Sequence, residues 1–380
     1  MNKTGTIILV IVIIILIALG IWYGVSKKPA ASNTSLKKPA EEKTIKIGII
    51  TPLTGDAAVW GLEVKNGAEI AYDGFKNTKI DGRKIEIVYE DDQCDAKTGV
   101  NAIQKLINVD KIKITGGTVC SSVVLAAAKI LEDNKVIHLS AGASSPAITN
   151  AGDYIFRIWP SDSFEGKKIA EFAVDDLKIK SVGILYINNE YGVGLKEAFT
   201  KAFNGKIKIA ESFEPNAKDF KTQLTKIKAQ DVDAIYFVAN PQEAPLILKQ
   251  IKEMGINKII LANGPAMEAS DTLKSAGETA EGVFYAQAKQ ETSGEFKTKY
   301  KEKFGKDAGF ASDLGYDVVK ILFNAINYCK GDDTNCIKDF LYNVKDYRGA
   351  SSIITFDENG DVIVPFVIKQ VKEGKAVIYK

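Results

Sequence analysis

The sequence predicts an α/β protein with two doubly wound parallel sheets, preceded by an N-terminal transmembrane helix. Three observations carry this. Short β-branched runs alternate with helical runs over most of the chain, which argues for parallel strands covered by helices on both faces. The alternation breaks once, at "FRIWPSD", and then restarts, which argues for two sheets rather than one. Near the start, "TIILVIVIIILIALGIWYGV" from Thr6 to Val25 carries no charge over 20 residues, enough for one bilayer crossing.

That apolar run is longer than the apolar part of an ordinary secretory signal, and no cysteine follows it to take a lipid. Residues 1–25 are therefore expected to stay as an uncleaved anchor. Lys3 lies before the run and Lys27–Lys28 after it, so flanking charge does not settle its orientation. Residues 26–43, "SKKPAASNTSLKKPAEEK", are rich in Lys, Pro, Ala and Ser and cannot bury a core, which reads as a flexible tether.

The body begins with the strand "IKIGII". Next come the helix "EVKNGAEIAYDGF", the strand "KIEIVYED", the helix "AKTGVNAIQKLINV" and the strand "KIKITGG". "SSVVLAAAKILEDN" is helical and "KVIHLSA" a strand. After the break, the helices "EGKKIAEFAVDDL", "VGLKEAFTKAF", "FKTQLTKIKAQ" and "EAPLILKQIKEM" alternate with the strands "SVGILYI", "KIAESFE", "AIYFVAN" and "KIILANG". In open α/β sheets, ligands bind beyond the C-terminal ends of the strands. The loops to watch are therefore "TPLTGDAAVWG", "GGTVCSS", "SAGASSP", "INNEYGVG", "VANPQEA" and "NGPAMEA".

Composition narrows the function. Net charge is +2, of which residues 1–43 hold +4, leaving −2 on the body. A body so near neutral argues against nucleic acid. The one histidine, His138, sits in an apolar strand, so a His-based triad has no partners, and no Cys/His cluster has metal-site spacing. Neither a dinucleotide turn nor a phosphate loop is present, and no cofactor is expected. The four cysteines, Cys94, Cys120, Cys329 and Cys336, all lie beyond the apolar run, which favours disulfides outside the cytoplasm. Three pairings are open; nearness in sequence favours 94–120 and 329–336. In "GGTVCSS", Ser121 and Ser122 fall in the first turn of a helix, where free N–H groups and hydroxyls can hold an anion. The plainer role for Ser121 is to cap that helix.

At these loops the chain resembles the extracellular binding proteins of branched-chain amino acid ABC transporters, of periplasmic-binding type I. The resemblance runs over residues 45–378 and rests on "IGIITPLTGDAAVWGLEVKNGAEIA", "YEDDQCDAKTGVNAIQKLI" with "GTVCSS", "FRIWPSDSFEGKKIA", "YINNEYGVGL" and "FDENGDVIV", the last similar to the family's C-terminal strand pair. It implies two lobes joined by three crossovers, one of residues 45–161 with 289–345, the other of 162–288 with 346–380. It implies a Cys94–Cys120 bridge pinning the Ser121 loop. It further implies a carboxylate at Ser121, with the adjacent N–H groups including that of Ser122, and at Ser144, whose hydroxyl would also meet an amino group. It implies a Gly142 carbonyl that accepts from an ammonium, and aromatic walls from Trp60 and Tyr191. Asp162 is either hinge or ligand residue, and Asn240 stands where some relatives offer a tyrosine. Amino-acid binders of the family often carry an acid after the "GP" of "NGPAMEA"; here that residue is Ala266, and Glu268 is the nearby substitute.

The function implied is that of a non-enzymatic binding component of an ABC importer, tethered at the extracytoplasmic face of the membrane. It would capture an amino acid or similar small carboxylate by hinge closure and dock on permease subunits. A ligand-sensing ectodomain working with a separate receptor is the rival. On either reading Ser121→Ala is expected to weaken binding and leave the unliganded protein's stability nearly unchanged.

Overall fold

Ile45, Ile47 and Ile49 of the first strand face one hydrophobic cluster, while Ile50 joins another on the opposite side. A strand buried on both faces is what helices on both sides of a parallel sheet require. The computed structural model describes residues 44–269 and 271–379. The expected anchor and tether, residues 1–43, lie outside the described residues; among these, no helix is long and apolar enough to cross a membrane.

The first sheet has six strands in the order β2-β3-β1-β4-β5-β6. They are β1 (Thr44–Thr51), β2 (Lys79–Ile80), β3 (Arg83–Asp91), β4 (Ile114–Gly116), β5 (Ile137–Ser140) and β6 (Ile155–Arg157). All its pairings are parallel except β2–β3. Helices α1 (Ala58–Asp73), α2 (Ala96–Asn108) and α3 (Ser121–Asp133) belong to this lobe. The chain then passes into α4 (Asp162–Asp175) and a second sheet of seven strands. There β7 (Ser181–Ile187), β8 (Lys206–Phe213), β9 (Ala234–Val238), β10 (Ile259–Asn263) and β11 (Phe284–Ala288) run parallel. Between them lie α5 (Glu190–Ala202), α6 (Lys221–Lys228), α7 (Ala244–Glu253), α8 (Gly264–Glu268) and α9 (Thr272–Ala276).

After β11 the chain returns to the first lobe and adds α10 (Gly294–Phe304), α11 (Ser312–Tyr328), α12 (Thr334–Tyr342) and the two-residue strands β12 (Tyr347–Arg348) and β13 (Ile353–Ile354). A third passage delivers β14 (Phe366–Lys372) and β15 (Lys375–Ile378), which close the second sheet in antiparallel fashion. Two expectations are corrected here. Residues 347–364, assigned from sequence to the second lobe, pack in the first: Ile354, Phe356, Val362 and Val364 belong to its core. "FDENGDVIV" is accordingly not the C-terminal strand pair; it is a turn closed by one antiparallel bridge, Phe356–Val362, and the pair is β14–β15. A segment with few periodic apolar residues carries no local sign of which lobe will cover it.

Helices α1 and α11 are in near-contact along their backbones. A Cβ on Gly67 would lie 1.7 Å from the Ser312 carbonyl oxygen, and one on Gly315 would lie 2.0 Å from that of Val64. The two glycines thus let α11 pack closely on α1, with Val318 and Leu322 beside Gly116 of β4. Both expected disulfides form, Cys94–Cys120 with Cα atoms 5.4 Å apart and Cys329–Cys336 at 5.9 Å.

Candidate functional site

Strand-end loops of both sheets converge on one cavity. From the first lobe come Trp60 in the first turn of α1, the β4–α3 turn with Ser121 and Ser122, Gly142 and Ser144 after β5, and Phe310, Ala311 and Leu314 at the start of α11. From the second come Asn189 and Tyr191 after β7, Asn240 after β9 and Pro265 after β10. Trp159, at the first crossover, completes the wall with its ring edge-on to Phe310 at 5.3 Å.

Its polar end is the N-terminus of α3. The N-cap is Cys120, in an extended conformation, and its side chain makes no capping hydrogen bond. The physical reason is that its sulfur is committed to Cys94. The first N–H groups of a helix have no intrahelical acceptor, so those of Ser121 and Ser122 are left for a ligand. Ser121 is not the cap that sequence offered as its plainer role. Its Oγ accepts from the backbone N–H of Ser144 at 3.2 Å and of Ser145 at 3.0 Å. With its acceptor sites so used, the hydroxyl proton remains to donate. The Ser121 hydroxyl and the Ser121 and Ser122 N–H groups thus present donors suited to a carboxylate, while the Ser122 hydroxyl donates to the Cys94 carbonyl at 3.4 Å.

Seven of the nine ligand residues expected from sequence line this cavity: Trp60, Ser121, Ser122, Gly142, Ser144, Tyr191 and Asn240. Asp162 and Glu268 do not. Asp162 is the first residue of α4, at the crossover. Its N–H donates to the Ser144 carbonyl at 2.8 Å, and its carboxyl is hydrogen-bonded to the Ser144 side chain, so it sits behind the wall. Burial pushes it up to about 7, against the opposing effects of Ser144 and of the Arg157 charge. Glu268 ends a five-residue helix and points to the second sheet, where Tyr285 Oη and Lys369 Nζ each lie 2.7 Å from Oε1. Its charge is spent on that ion pair. Trp159, Phe310 and Leu314 are site residues that the sequence reading missed. Trp159 stands in the quoted crossover motif, and Phe310 in a loop ahead of a helix; a loop aromatic was the usable signal in both.

Asn240 also joins the lobes. Its Nδ2 donates to Asp56 Oδ2 at 2.9 Å, and Gln242 Nε2 beside it donates to the Gly55 carbonyl at 3.1 Å. Asp56 meets Glu243, whose carboxylate accepts from the N–H groups of Asn240 and Asn216. Burial first, then the charge of Asp56, push Glu243 up to about 8. An acid whose pKa is raised in the folded state binds more protons there than when unfolded. Stability is then full below the ordinary carboxyl range, falls as pH rises through it, and levels off above the folded value. Melting temperature is accordingly expected to fall between about pH 5 and 8. Asp56→Asn, which keeps an acceptor for Asn240, should flatten that fall; an unchanged slope would remove the pair from the account.

The periplasmic binding protein family profile matches residues 44–376, and the chain belongs to that family. It is 29% identical over 352 residues to the Leu/Ile/Val-binding protein homolog 3 of Brucella melitensis, covering 88% of this chain and 93% of that protein. Among solved structures it is similar to the leucine binding protein LivK of Thermotoga maritima, with a TM-score of 0.82 and 30% identity over 89% of this chain and 98% of the other. It is also similar to the substrate binding protein LivJ of Streptococcus pneumoniae in complex with isoleucine, with a TM-score of 0.79 and 28% identity over 88% and 98%. These relatives are binding proteins, not enzymes.

Proposed function

We propose that this protein is the solute-binding component of an ABC importer at the extracytoplasmic face of the membrane, held there by residues 6–25. It binds an amino acid or similar small carboxylate-bearing solute between its lobes and, once closed, docks on the permease subunits. The first lobe comprises residues 45–161 with 289–364 and the second 162–288 with 366–380. The observation that carries the reading is the group of donors at the N-terminus of α3, the Ser121 hydroxyl and the first N–H groups, at one end of a cavity lined only by uncharged residues among those described. The binding of leucine or isoleucine named for its relatives supports the solute's size and carboxylate.

On this reading the carboxylate docks on the first lobe, and bending of the crossovers brings Tyr191, Asn240 and Pro265 of the second against the solute, the arrangement in which both lobes line one cavity. Differential contact of this kind shifts the open–closed balance toward the closed form. Native mass spectrometry of protein purified without unfolding tests the reading. A small carboxylate-bearing solute, released on denaturation, is the expected result. A protein that carries no solute and takes up none from a mixture of small carboxylates contradicts it.

A further inference from the structure

Building on that reading, we propose that the natural solute is a carboxylate without an ammonium group, so that its apolar body alone fills the rest of the cavity. Among the described residues, none of those lining the cavity bears a formal charge. A carboxylate needs none, because the helix end and the Ser121 hydroxyl receive it. An ammonium does need one, since a buried cation without a counter-charge is strongly disfavoured.

No acid near the cavity lines it, although Asp162 Oδ2 and Glu165 Oε2 are buried without a hydrogen-bond partner. Asp162 is bound to Ser144 behind the wall, and Glu165, next to it, takes the Gly264 N–H at 2.8 Å. Burial raises both, Glu165 further through the charge of Asp162. Glu268 is paired with Lys369, and Asp56 and Glu243 are held by the Asn240 contacts. Ala266, directly after the lining residue Pro265, is fully buried and apolar. The wall includes Trp60, Trp159, Phe310 and Leu314, which suit a flat or branched hydrocarbon body, together with the uncharged Asn189, Tyr191 and Asn240.

Calorimetric titration of the unmodified protein near neutral pH tests this with two matched sets. One is L-leucine, 4-methylpentanoate and 4-methylpentan-1-ol; the other is L-phenylalanine, 3-phenylpropanoate and 3-phenylpropan-1-ol. In the set whose body fits, the plain carboxylate is expected to bind at least about tenfold more tightly than the amino acid. An amino acid binding tenfold more tightly than its deaminated partner overturns the proposal, makes Asp162 acting through Ser144 the counter-charge, and leaves the carboxylate site at α3 standing. An alcohol that binds as well as the carboxylate overturns the α3 reading itself.

Discussion

Replacing Asp361 by alanine is expected to cost about 3–5 kcal/mol of folding stability, the usual result of removing one partner of a buried ion pair. Arg157 is wholly buried, and Asp361 holds it at two points: Nε to Oδ1 at 2.6 Å and Nη2 to Oδ2 at 2.6 Å. Its remaining bonds go to the Ser145 carbonyl at 2.9 Å and to Thr149 Oγ1 at 2.8 Å, neither of which carries charge. The alanine variant therefore strands a guanidinium in a dry environment. Because whole proteins have only about 5–15 kcal/mol to spare, the loss should appear as a large drop in denaturation midpoint. The double variant Arg157→Met with Asp361→Leu should recover much of it, since it removes both charges. A single variant that melts like the parent would mean that water reaches Arg157. The pair also supports the site, because the Arg157–Ser145 bond steadies the loop that carries Ser144.

Ser121→Ala has the next largest effect, and it has two parts. Losing the hydroxyl donor to the solute's carboxylate costs roughly 1.5–3 kcal/mol, or about 10- to 150-fold in affinity. The same change strips the acceptor from the N–H groups of Ser144 and Ser145, which are buried. That costs a further ~1–3 kcal/mol of stability in the unliganded protein. The sequence-based expectation of unaltered stability is thus revised: the hydroxyl ties two ligand loops together as well as facing the ligand. Calorimetry and thermal melting on the same variant separate the two. Weakened binding with unaltered melting would show the two N–H groups already satisfied by solvent; lowered melting with intact affinity would take Ser121 out of the ligand site.

The parallel sheets were legible because their central strands are buried on both faces and read as unbroken apolar runs between helical ones. Ser121, Ser144, Tyr191 and Asn240 were legible because strand ends locate loops, and the resemblance ordered those loops. What escaped had non-local causes. Phe310 and Leu314 enter the cavity because Gly67 and Gly315 let α11 sink against α1, a contact between segments about 250 positions apart. Glu268 looked available two residues beyond Ala266, but α8 is a single short helix that ends by turning its last side chain onto Tyr285 and Lys369. Residues 347–364 follow neither helical nor strand periodicity, so only the tertiary core reveals which lobe they complete.

The central claim is that the N-terminus of α3 holds a carboxylate between the two lobes. A crystal structure of the protein with the solute it carries from its native source tests this most directly. The account predicts carboxylate oxygens within about 2.7–3.2 Å of the Ser121 and Ser122 backbone nitrogens, with the apolar body against Trp60 and Tyr191. A solute that leaves those nitrogens unbonded, or that turns a nitrogen donor toward them, would contradict it.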